Sequence, residues 1–156
     1  MNINCFYYIL LLLFSCAIIE DNDTDETQKF HGNESTLDIV TWNIENFPKN
    51  ELTTEFIVPI IDSLNMDIFA LQEISSSTEF DILVSSLNDK WVGYKSSNSN
   101  YGELSYLIDT TQIVINNIPY TILPEYSYDF SWRDPYVLEI TFNNIEYIII
   151  NVHFKS

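Results

Sequence analysis

The sequence predicts a layered α/β sandwich built on a mixed β-sheet. Three observations support this fold class. The predicted elements run strand, helix, strand, helix and then mainly strands, an order typical of layered α/β domains. Glycine is scarce, with 3 residues, whereas 10 Tyr and 10 Phe suit a β-rich interior. Hydrophobic residues make up 46% of the 156-residue chain, enough for one packed core.

The chain starts with an apolar segment, Ile9–Ile19, that has the length of the hydrophobic region of an export signal and is short for a membrane span. Within it, Leu13-Phe14-Ser15-Cys16 resembles a bacterial lipobox, which implies cleavage before Cys16 and lipid attachment to it. We therefore predict that residues 1–19 are a signal peptide or lipoprotein signal. The protein is then exported, and either membrane-anchored through Cys16 or secreted. Ordinary signal cleavage, an uncleaved anchor and a buried core helix are the alternatives.

Residues 20–36 are acidic and contain little that could be buried. They are predicted to form a disordered tether that precedes a folded domain at residues 37–156. Both cysteines, Cys5 and Cys16, lie within residues 1–19. A disulfide framework in the folded domain is therefore excluded.

The formal net charge is −17, which is large for a chain of this size. A strongly acidic surface repels nucleic acid and anionic membranes, because binding to polyanions normally depends on Lys and Arg. If the substrate is a phosphodiester, a divalent metal must supply the missing positive charge. Solubility alone is the alternative reason for the acidity.

Strands and helices alternate in the first half of the folded domain. Leu37–Ile44 is predicted to be a strand, and Glu51–Asn65 an amphipathic helix because its apolar residues recur at helical spacing. These apolar residues are Leu52, Phe56, Ile57, Ile60, Ile61 and Leu64. Asp67–Glu73 is short and mostly apolar, which is typical of a buried strand, and Glu79–Leu87 is predicted to be a second helix.

The second half of the domain is predicted to be mainly strands. The segments are Leu104–Ile108, Ile113–Ile115, Tyr136–Phe142 and Tyr147–Phe154. Asn143-Asn144, between the last two, is a favourable hairpin turn. The sequence shows no internal repeat.

Three polar residues stand at the ends of apolar strands: Asn43, Glu73 and His153. Each is usually structural when it occurs alone, since an Asn caps a turn, a Glu caps a helix or faces water, and a lone His is hydrogen-bonded in a core. Strands that are apolar and then present one such residue at their carboxyl end are a common way to build a site at the rim of a sheet. The combination on three strands therefore predicts a functional site.

Three segments resemble the motifs of the endonuclease/exonuclease/phosphatase family. Thr41–Phe47 is similar to its opening motif, and Asp67–Ile74 to the motif whose Glu holds a divalent metal. Ile149–Ser156 is similar to the strand that ends in the catalytic His. The resemblance covers about Leu37 to Ser156, and Leu-Gln-Glu is its most specific part. It implies a partial four-layered α/β sandwich with a mixed β-sheet, of which this chain forms the N-terminal part.

Two further segments resemble the pancreatic-type deoxyribonucleases of that family. They are Asn100–Tyr106, with a Tyr-x-Glu pattern, and Phe130–Pro135, with a Phe-Ser-x-Arg-x-Pro pattern. Together the resemblances imply catalytic, metal-binding and phosphate-binding residues. The implied catalytic residues are His153 and Glu103, with Glu103 orienting and charging His153; the implied metal ligands are Glu73 and Asn43; the implied phosphate contacts are Arg133, Asn43 and Tyr101.

These residue types suit phosphodiester hydrolysis. A hard cation, Mg²⁺ first and Ca²⁺ or Mn²⁺ as alternatives, prefers carboxylate oxygens such as those of Glu73. Asn43 can hydrogen-bond a phosphate oxygen without adding repulsive charge. A His whose second nitrogen is held by a carboxylate has a raised pKa and can move a proton near neutrality. Arg133 offers two parallel donors to a phosphate, although a surface Arg is the alternative interpretation.

The chain also departs from the family pattern. Glu45 and Ile74-Ser75-Ser76 stand where the deoxyribonuclease branch has Arg, which places DNA backbone contacts there in doubt. The family's later Asp-x-Asn and Ser-Asp-His motifs do not follow. A truncated chain is therefore expected, with an apolar sheet face open to water unless a C-terminal half or a partner chain covers it.

The leading function is metal-dependent phosphodiester hydrolysis by an exported, nuclease-like enzyme whose partner is nucleic acid. One alternative is a phospholipid phosphodiesterase, such as a sphingomyelinase or phosphoinositide phosphatase, held at a membrane by the N-terminal anchor. The other is a non-catalytic surface lipoprotein remnant. The Tyr-x-Glu and Ser-x-Arg-x-Pro patterns favour the nuclease, whereas the net charge of −17 leaves lipid open.

Overall fold

A computed structural model describes residues 32–97 and 102–154. Its elements in chain order are β1 (Ile39–Phe47), α1 (Thr53–Leu64), β2 (Ile68–Ile74), α2 (Ser77–Ser86), β3 (Trp91–Lys95), β4 (Glu103–Asp109), β5 (Ile113–Ile115), β6 (Tyr120–Thr121), a 3-10 helix (Pro124–Tyr126), β7 (Tyr136–Phe142) and β8 (Ile145–Asn151). Cys16, the rest of the predicted signal, residues 20–31 of the predicted tether, and Tyr101 lie outside the described residues.

The strands form two four-stranded sheets. The first has the order β1-β2-β4-β3, with β1 and β2 parallel and the other pairs antiparallel. In the second sheet β7 pairs along its full length with β8 on one edge, and with the shorter β5 and β6 on the other. The predicted α/β class with a mixed sheet is therefore confirmed.

The first sheet lies between the two helices and the second sheet. Its helix-facing side forms one core, which includes Phe69, Leu71 and Leu107 together with Ile61 of α1 and Leu83 of α2. Its other side packs on the second sheet and forms a separate core. That core includes Ile68, Leu104, Tyr106, Ile108, Leu138 and Ile140. Alternate residues of β2 and β4 enter different cores, because successive side chains of a strand point to opposite faces.

The outer face of the second sheet is exposed. Val114, Ile148 and Ile150 on this face are all exposed, and Ile148 retains 69% of its accessible surface. Helices α1 and α2 instead pack against the first sheet. The described layers are thus helix, sheet and sheet. In the same part of the chain, no helix has the length and apolar character needed to cross a membrane.

Local sequence explains where the helices begin and end. The side chain of Ser76 accepts a hydrogen bond from the backbone N–H of Glu79 at 3.2 Å, so α2 begins at Ser77, two residues before the predicted start. Helix α1 ends at Asn65, which has the left-handed conformation common at helix C-caps. Of its predicted apolar stripe, Ile57 and Ile61 are buried, whereas Phe56 is 67% exposed.

Residues 32–36, the end of the predicted tether, form a turn against helix α1. Gly32 donates its N–H to the carbonyl of Leu64 at 2.9 Å. Asn33 and Thr36 both bond to the carboxylate of Asp38. Ordered contacts to the domain therefore begin before Leu37.

The structure differs from the predicted elements in three places. Strand β3 was not predicted, because Gly93 interrupts its short pattern; a side chain at Gly93 would collide with Phe80 and Val84 of α2. Strand β8 begins at Ile145 and ends at Asn151, so His153 lies beyond the strand. The two-residue β6 and the 3-10 helix are too short for a periodic signal.

The predicted turn at Asn143-Asn144 is confirmed, with positive φ at both residues as a tight hairpin requires.

Candidate active site

The three polar residues predicted at strand ends come together at one edge of the sandwich. Asn43 Nδ2 donates to Glu73 Oε1 at 3.1 Å. His153 Nε2 lies 3.6 Å from the same carboxylate oxygen and 3.5 Å from Asn43 Nδ2. Asn43 and Glu73 come from the first sheet, and His153 follows the last strand of the second sheet. The site therefore forms where the two sheets meet.

A β-bulge turns Glu73 toward this edge. The pairing of β2 with both of its neighbours shifts register between Leu71 and Ile74, and Glu73 has a φ of 65°. Gly102, also at positive φ, packs directly on Glu73, and a Cβ at Gly102 would stand 3.1 Å from the Glu73 Cα. A left-handed Glu costs about 1 kcal/mol or more, and such strain is concentrated at functional sites.

Both carboxylate oxygens of Glu73 accept hydrogen bonds from the irregular part of β1, where its pairing with β2 shifts register between Asn43 and Phe47. Asn43 Nδ2 donates to Oε1, and the backbone N–H of Asn46 donates to Oε2 at 3.0 Å. This part of β1 is itself stabilised by the N–H of Glu45, which donates to Asn43 Oδ1 at 2.8 Å. The bond from Asn43 is the main reason that the pKa of Glu73 lies below its ordinary value of 4.5. Glu73 is therefore a carboxylate at neutral pH.

The structure corrects the predicted partner of His153. Arg133 Nη1 donates to His153 Nδ1 at 2.7 Å, whereas the Glu103 carboxylate accepts from Lys95 Nζ at 2.6 Å. Glu103 begins β4 and Lys95 ends the adjacent antiparallel β3, so sheet pairing brings these two opposite charges together. The expected Glu103–His153 pair is not formed.

The predicted rise in the pKa of His153 is also wrong. Burial lowers its pKa below the ordinary value of 6.5, and the positive charge of Arg133 lowers it further, although Glu73 acts in the opposite direction. The imidazole is then neutral at neutral pH, and its 3.6 Å contact with Glu73 is not an ion pair there. Because Nδ1 accepts from Arg133, we assign the single proton to Nε2, on the side of Glu73.

The contribution of Arg133 to the low pKa of His153, which adds to that of burial, can be tested. Arg133→Gln is expected to raise the pKa of His153, because it removes a neighbouring positive charge, whereas Glu73→Gln should lower it further. NMR titration of the imidazole in metal-free, chelator-treated protein measures both shifts. His31, the other histidine of the chain, provides a control resonance. Shifts of the same sign in the two variants would contradict the assignment.

The lowered pKa of His153 also has a consequence for stability. The folded state binds fewer protons than the unfolded state between the folded pKa and 6.5. The contribution of this group to stability is therefore present above pH 6.5 and is lost as the pH falls through the folded pKa.

A buried amide pair, which sequence analysis missed, joins β2, which contains Glu73, to the end of β8, which His153 follows. Gln72 Nε2 donates to Asn151 Oδ1 at 2.8 Å. Asn151 Nδ2 donates to the carbonyls of Leu71 and Ser105 at 2.9 and 3.1 Å. Gln72 directly precedes Glu73, and Asn151 stands two residues before His153. The one sequence signal for this pair was an Asn that ends the apolar run of β8.

Asn151→Leu is expected to destabilise the fold by about 3 kcal/mol. The change leaves three buried groups, the Gln72 amide and the carbonyls of Leu71 and Ser105, without this partner, and each lost partner costs roughly 1 kcal/mol or more. Urea unfolding measures the loss.

Asn117→Leu is the matched control, because its bond to Glu139 is at the surface, and its effect should stay within about 0.5 kcal/mol. Equal losses in the two variants would show that the buried pair does not stabilise the junction of the sheets.

The donor set at the site fits a hard divalent cation only in part. The Glu73 carboxylate is one suitable ligand, and Asn43 offers an amide oxygen beside it. No group of three or more His, Cys, Asp or Glu within residues 32–97 and 102–154 is arranged to hold a metal. Mg²⁺ is often held by one or two carboxylates while water and substrate phosphate complete its shell. The residues present fit that mode of binding and do not form a closed metal cage.

Arg133 differs from the other described cations. Lys49, Lys90 and Lys95 each form an ion pair with a carboxylate, of Glu45, Asp109 and Glu103 respectively. Arg133 forms no such pair within the described ranges, and its Nε atom is buried without a hydrogen-bond partner. Its guanidinium is therefore the positive group best placed to meet an anionic ligand beside His153.

No family model matches this chain, and no curated protein matches it. Solved structures do share its fold. D. rerio TDP2 humanised by 14 mutations aligns with a TM-score of 0.65 and 16% identity over 77% of this chain and 48% of the other. D. rerio TDP2 complexed with single strand DNA product aligns with a TM-score of 0.64 and 14% identity over 77% of this chain and 46% of the other. Truncated Caenorhabditis elegans TDP2 aligns with a TM-score of 0.63 and 18% identity over 77% of this chain and 47% of the other.

The chain thus spans about half the length of these structures. At this level of identity the likeness establishes the fold, and the chemistry has to be argued from the residues of the site.

Proposed function

We propose that this chain carries the metal-binding and phosphate-binding part of an exported, divalent-metal-dependent phosphodiesterase that acts on nucleic acid. One observation carries the proposal: Asn43, Glu73 and His153 lie within 3.1 to 3.6 Å of one another at the junction of the two sheets, and Arg133 donates to His153 from the other side of the imidazole. These groups supply the carboxylate, amide, imidazole and guanidinium that phosphodiester hydrolysis requires.

Glu73 is the residue that would hold the metal. Its low pKa keeps it anionic, and the bonds from Asn43 and the N–H of Asn46 fix its orientation. A cation bound there supplies Lewis-acid polarisation of the phosphate and positive charge that this acidic protein otherwise lacks. Mg²⁺ suits the oxygen donors best, with Mn²⁺ and Ca²⁺ as alternatives.

His153 and Arg133 would act on the phosphate as a pair. Arg133 donates a hydrogen bond to Nδ1 of His153, so the Nε2–H of the neutral imidazole is directed to the side of the site that contains Glu73. From there it can donate a hydrogen bond to the departing oxygen and stabilise the negative charge that develops on it, since a neutral imidazole is too weak an acid to transfer this proton; removal of one such donor typically costs roughly 10²–10³ in rate. The remaining guanidinium donors would bind a phosphate oxygen next to the scissile bond.

The proposed function is tested by hydrolysis of a labelled single-stranded oligonucleotide and of bis(p-nitrophenyl) phosphate. We expect cleavage with Mg²⁺ or Mn²⁺ that EDTA removes, together with Mn²⁺ binding detected by calorimetry. A chain that neither binds the metal nor cleaves either substrate would overturn the proposal.

A second candidate is a phospholipid phosphodiesterase. The net charge of −17 disfavours a polyanionic partner, and the predicted N-terminal anchor would place the site beside a membrane. Sphingomyelin and phosphoinositide vesicles are therefore included as substrates in the same assay. Preferential release of their headgroups would favour this candidate over the nuclease.

A further inference from the structure

The loop between β6 and β7 presents aromatic side chains to solvent. Trp132 is 53% exposed and Tyr128 69% exposed, and their rings meet edge to face with centroids 6.2 Å apart. Aromatic side chains contribute most to stability when they are buried. The exposed part of the Trp132 ring is therefore surface that a ligand could cover.

Backbone hydrogen bonds hold the loop in a defined shape. The N–H of Trp132 donates to the carbonyl of Ser127 at 2.6 Å, and that of Arg133 to the carbonyl of Phe130 at 3.1 Å. The Ser127 hydroxyl also donates to the carboxylate of the buried Asp134. Trp132 adopts a φ of 62°, a left-handed conformation that is unfavourable for a bulky side chain. Unfavourable backbone at an exposed aromatic residue suggests a functional requirement for the position of this ring.

The loop lies next to the candidate active site. Trp132 immediately precedes Arg133, which donates to His153. On the other side, Phe154 follows His153, is 65% exposed, and packs on Phe130 with ring centroids 5.9 Å apart. Each member of the Arg133–His153 pair therefore has an exposed aromatic residue as its neighbour in the chain.

The charges of the protein decide what these rings would bind. Arg133 is the one Lys or Arg within residues 32–97 and 102–154 that is not paired with a carboxylate, and the whole chain has a net charge of −17. Affinity for a nucleic acid strand cannot then rest mainly on phosphate contacts. Base stacking on aromatic rings is a source of affinity that does not need positive charge. Paired bases in a duplex have their faces covered, so the rings would require unpaired bases.

We propose that Trp132, supported by Tyr128 against its ring, is a stacking platform for an unpaired nucleobase whose neighbouring phosphate lies at Arg133. The site would therefore select single-stranded over double-stranded nucleic acid. This inference rests on the proposed phosphodiesterase function and adds a substrate class and a binding residue to it.

The test measures binding of fluorescent strands to the full chain by anisotropy with Ca²⁺ present. The probes are a single-stranded oligonucleotide, the same strand as a duplex, and an abasic strand of equal length. We expect the wild type to prefer the single strand by roughly 10-fold over both other probes. Trp132→Ala should weaken binding of the base-containing single strand by roughly 10-fold and leave binding of the duplex and the abasic strand unchanged. Trp132→Phe should restore most of the lost affinity. Ile118→Ala, an exposed apolar residue outside the loop, is the control expected to bind like the wild type.

The outcomes separate the platform from the phosphodiesterase proposal. If the wild type cleaves phosphodiesters but binds base-containing and abasic strands equally, and Trp132→Ala changes neither, the platform is refuted while the function stands. If the wild type shows no metal-dependent hydrolysis and binds no strand, both proposals fail. If Trp132→Ala affects binding to sphingomyelin vesicles and leaves oligonucleotides unchanged, the platform is overturned in favour of a lipid surface.

Discussion

Glu73→Gln is expected to lower metal-dependent phosphodiesterase activity at least about 100-fold and to remove measurable Mn²⁺ binding. Substitution of groups that merely support a metal ligand costs roughly 10–100-fold, and Glu73 would be the ligand itself. The change is nearly isosteric and removes the negative charge, while its amide oxygen can still accept from Asn43 or Asn46. Calorimetry with Mn²⁺ and initial rates with bis(p-nitrophenyl) phosphate measure the two losses.

The fold should survive this substitution, because Glu73 is at the edge of the sandwich and its neighbours Gln72 and Ile74 provide the buried contacts. Glu55→Gln, an exposed carboxylate in the first turn of α1, removes the same charge elsewhere and should retain wild-type rates and Mn²⁺ binding. If Glu73→Gln kept full activity with an unchanged melting temperature, Glu73 would not be the metal ligand.

His153→Ala is expected to reduce cleavage of an oligonucleotide by roughly 10²–10³, the usual range for loss of one hydrogen-bond donor to a developing oxyanion. The loss should be much smaller for bis(p-nitrophenyl) phosphate, because p-nitrophenolate spreads its negative charge over the ring and needs less stabilisation. The ratio of the two losses therefore reports hydrogen bonding of the Nε2–H to the departing oxygen, as opposed to a general effect on folding or metal binding. Equal losses on both substrates would contradict the proposed role.

Glu103→Gln tests whether the partner of His153 is Arg133, as in the structure, or Glu103, as the family resemblance implies. Since the Glu103 carboxylate is paired with Lys95, its substitution should leave the pKa of His153 and the ratio of rates on the two substrates unchanged. A loss in Glu103→Gln that reproduces that of His153→Ala, on the oligonucleotide but not on the activated diester, would instead support the carboxylate–histidine pair implied by the family resemblance.

Most of the elements, and the positions of the polar residues along them, follow from local sequence patterns. Apolar spacing correctly predicted α1 and α2, and alternating or continuous apolar runs predicted β1, β2, β4, β5 and β7. The rule that isolated polar residues at strand ends meet at a sheet rim correctly placed Asn43, Glu73 and His153 together. These features are local, because a strand or helix records in its own residues which side faces the core.

The pairing of the groups in the site depends on contacts between distant segments and could not be read from local patterns. The bulge that directs Glu73, the bonds between Gln72 and Asn151, and the choice of Arg133 over Glu103 as the partner of His153 all depend on register between segments far apart in the chain. A shift of one residue in register moves a side chain to the opposite face of a sheet, and no periodic pattern within a single strand encodes it. Glu103 forms an ion pair with Lys95 because β3, which had not been predicted, lies beside β4.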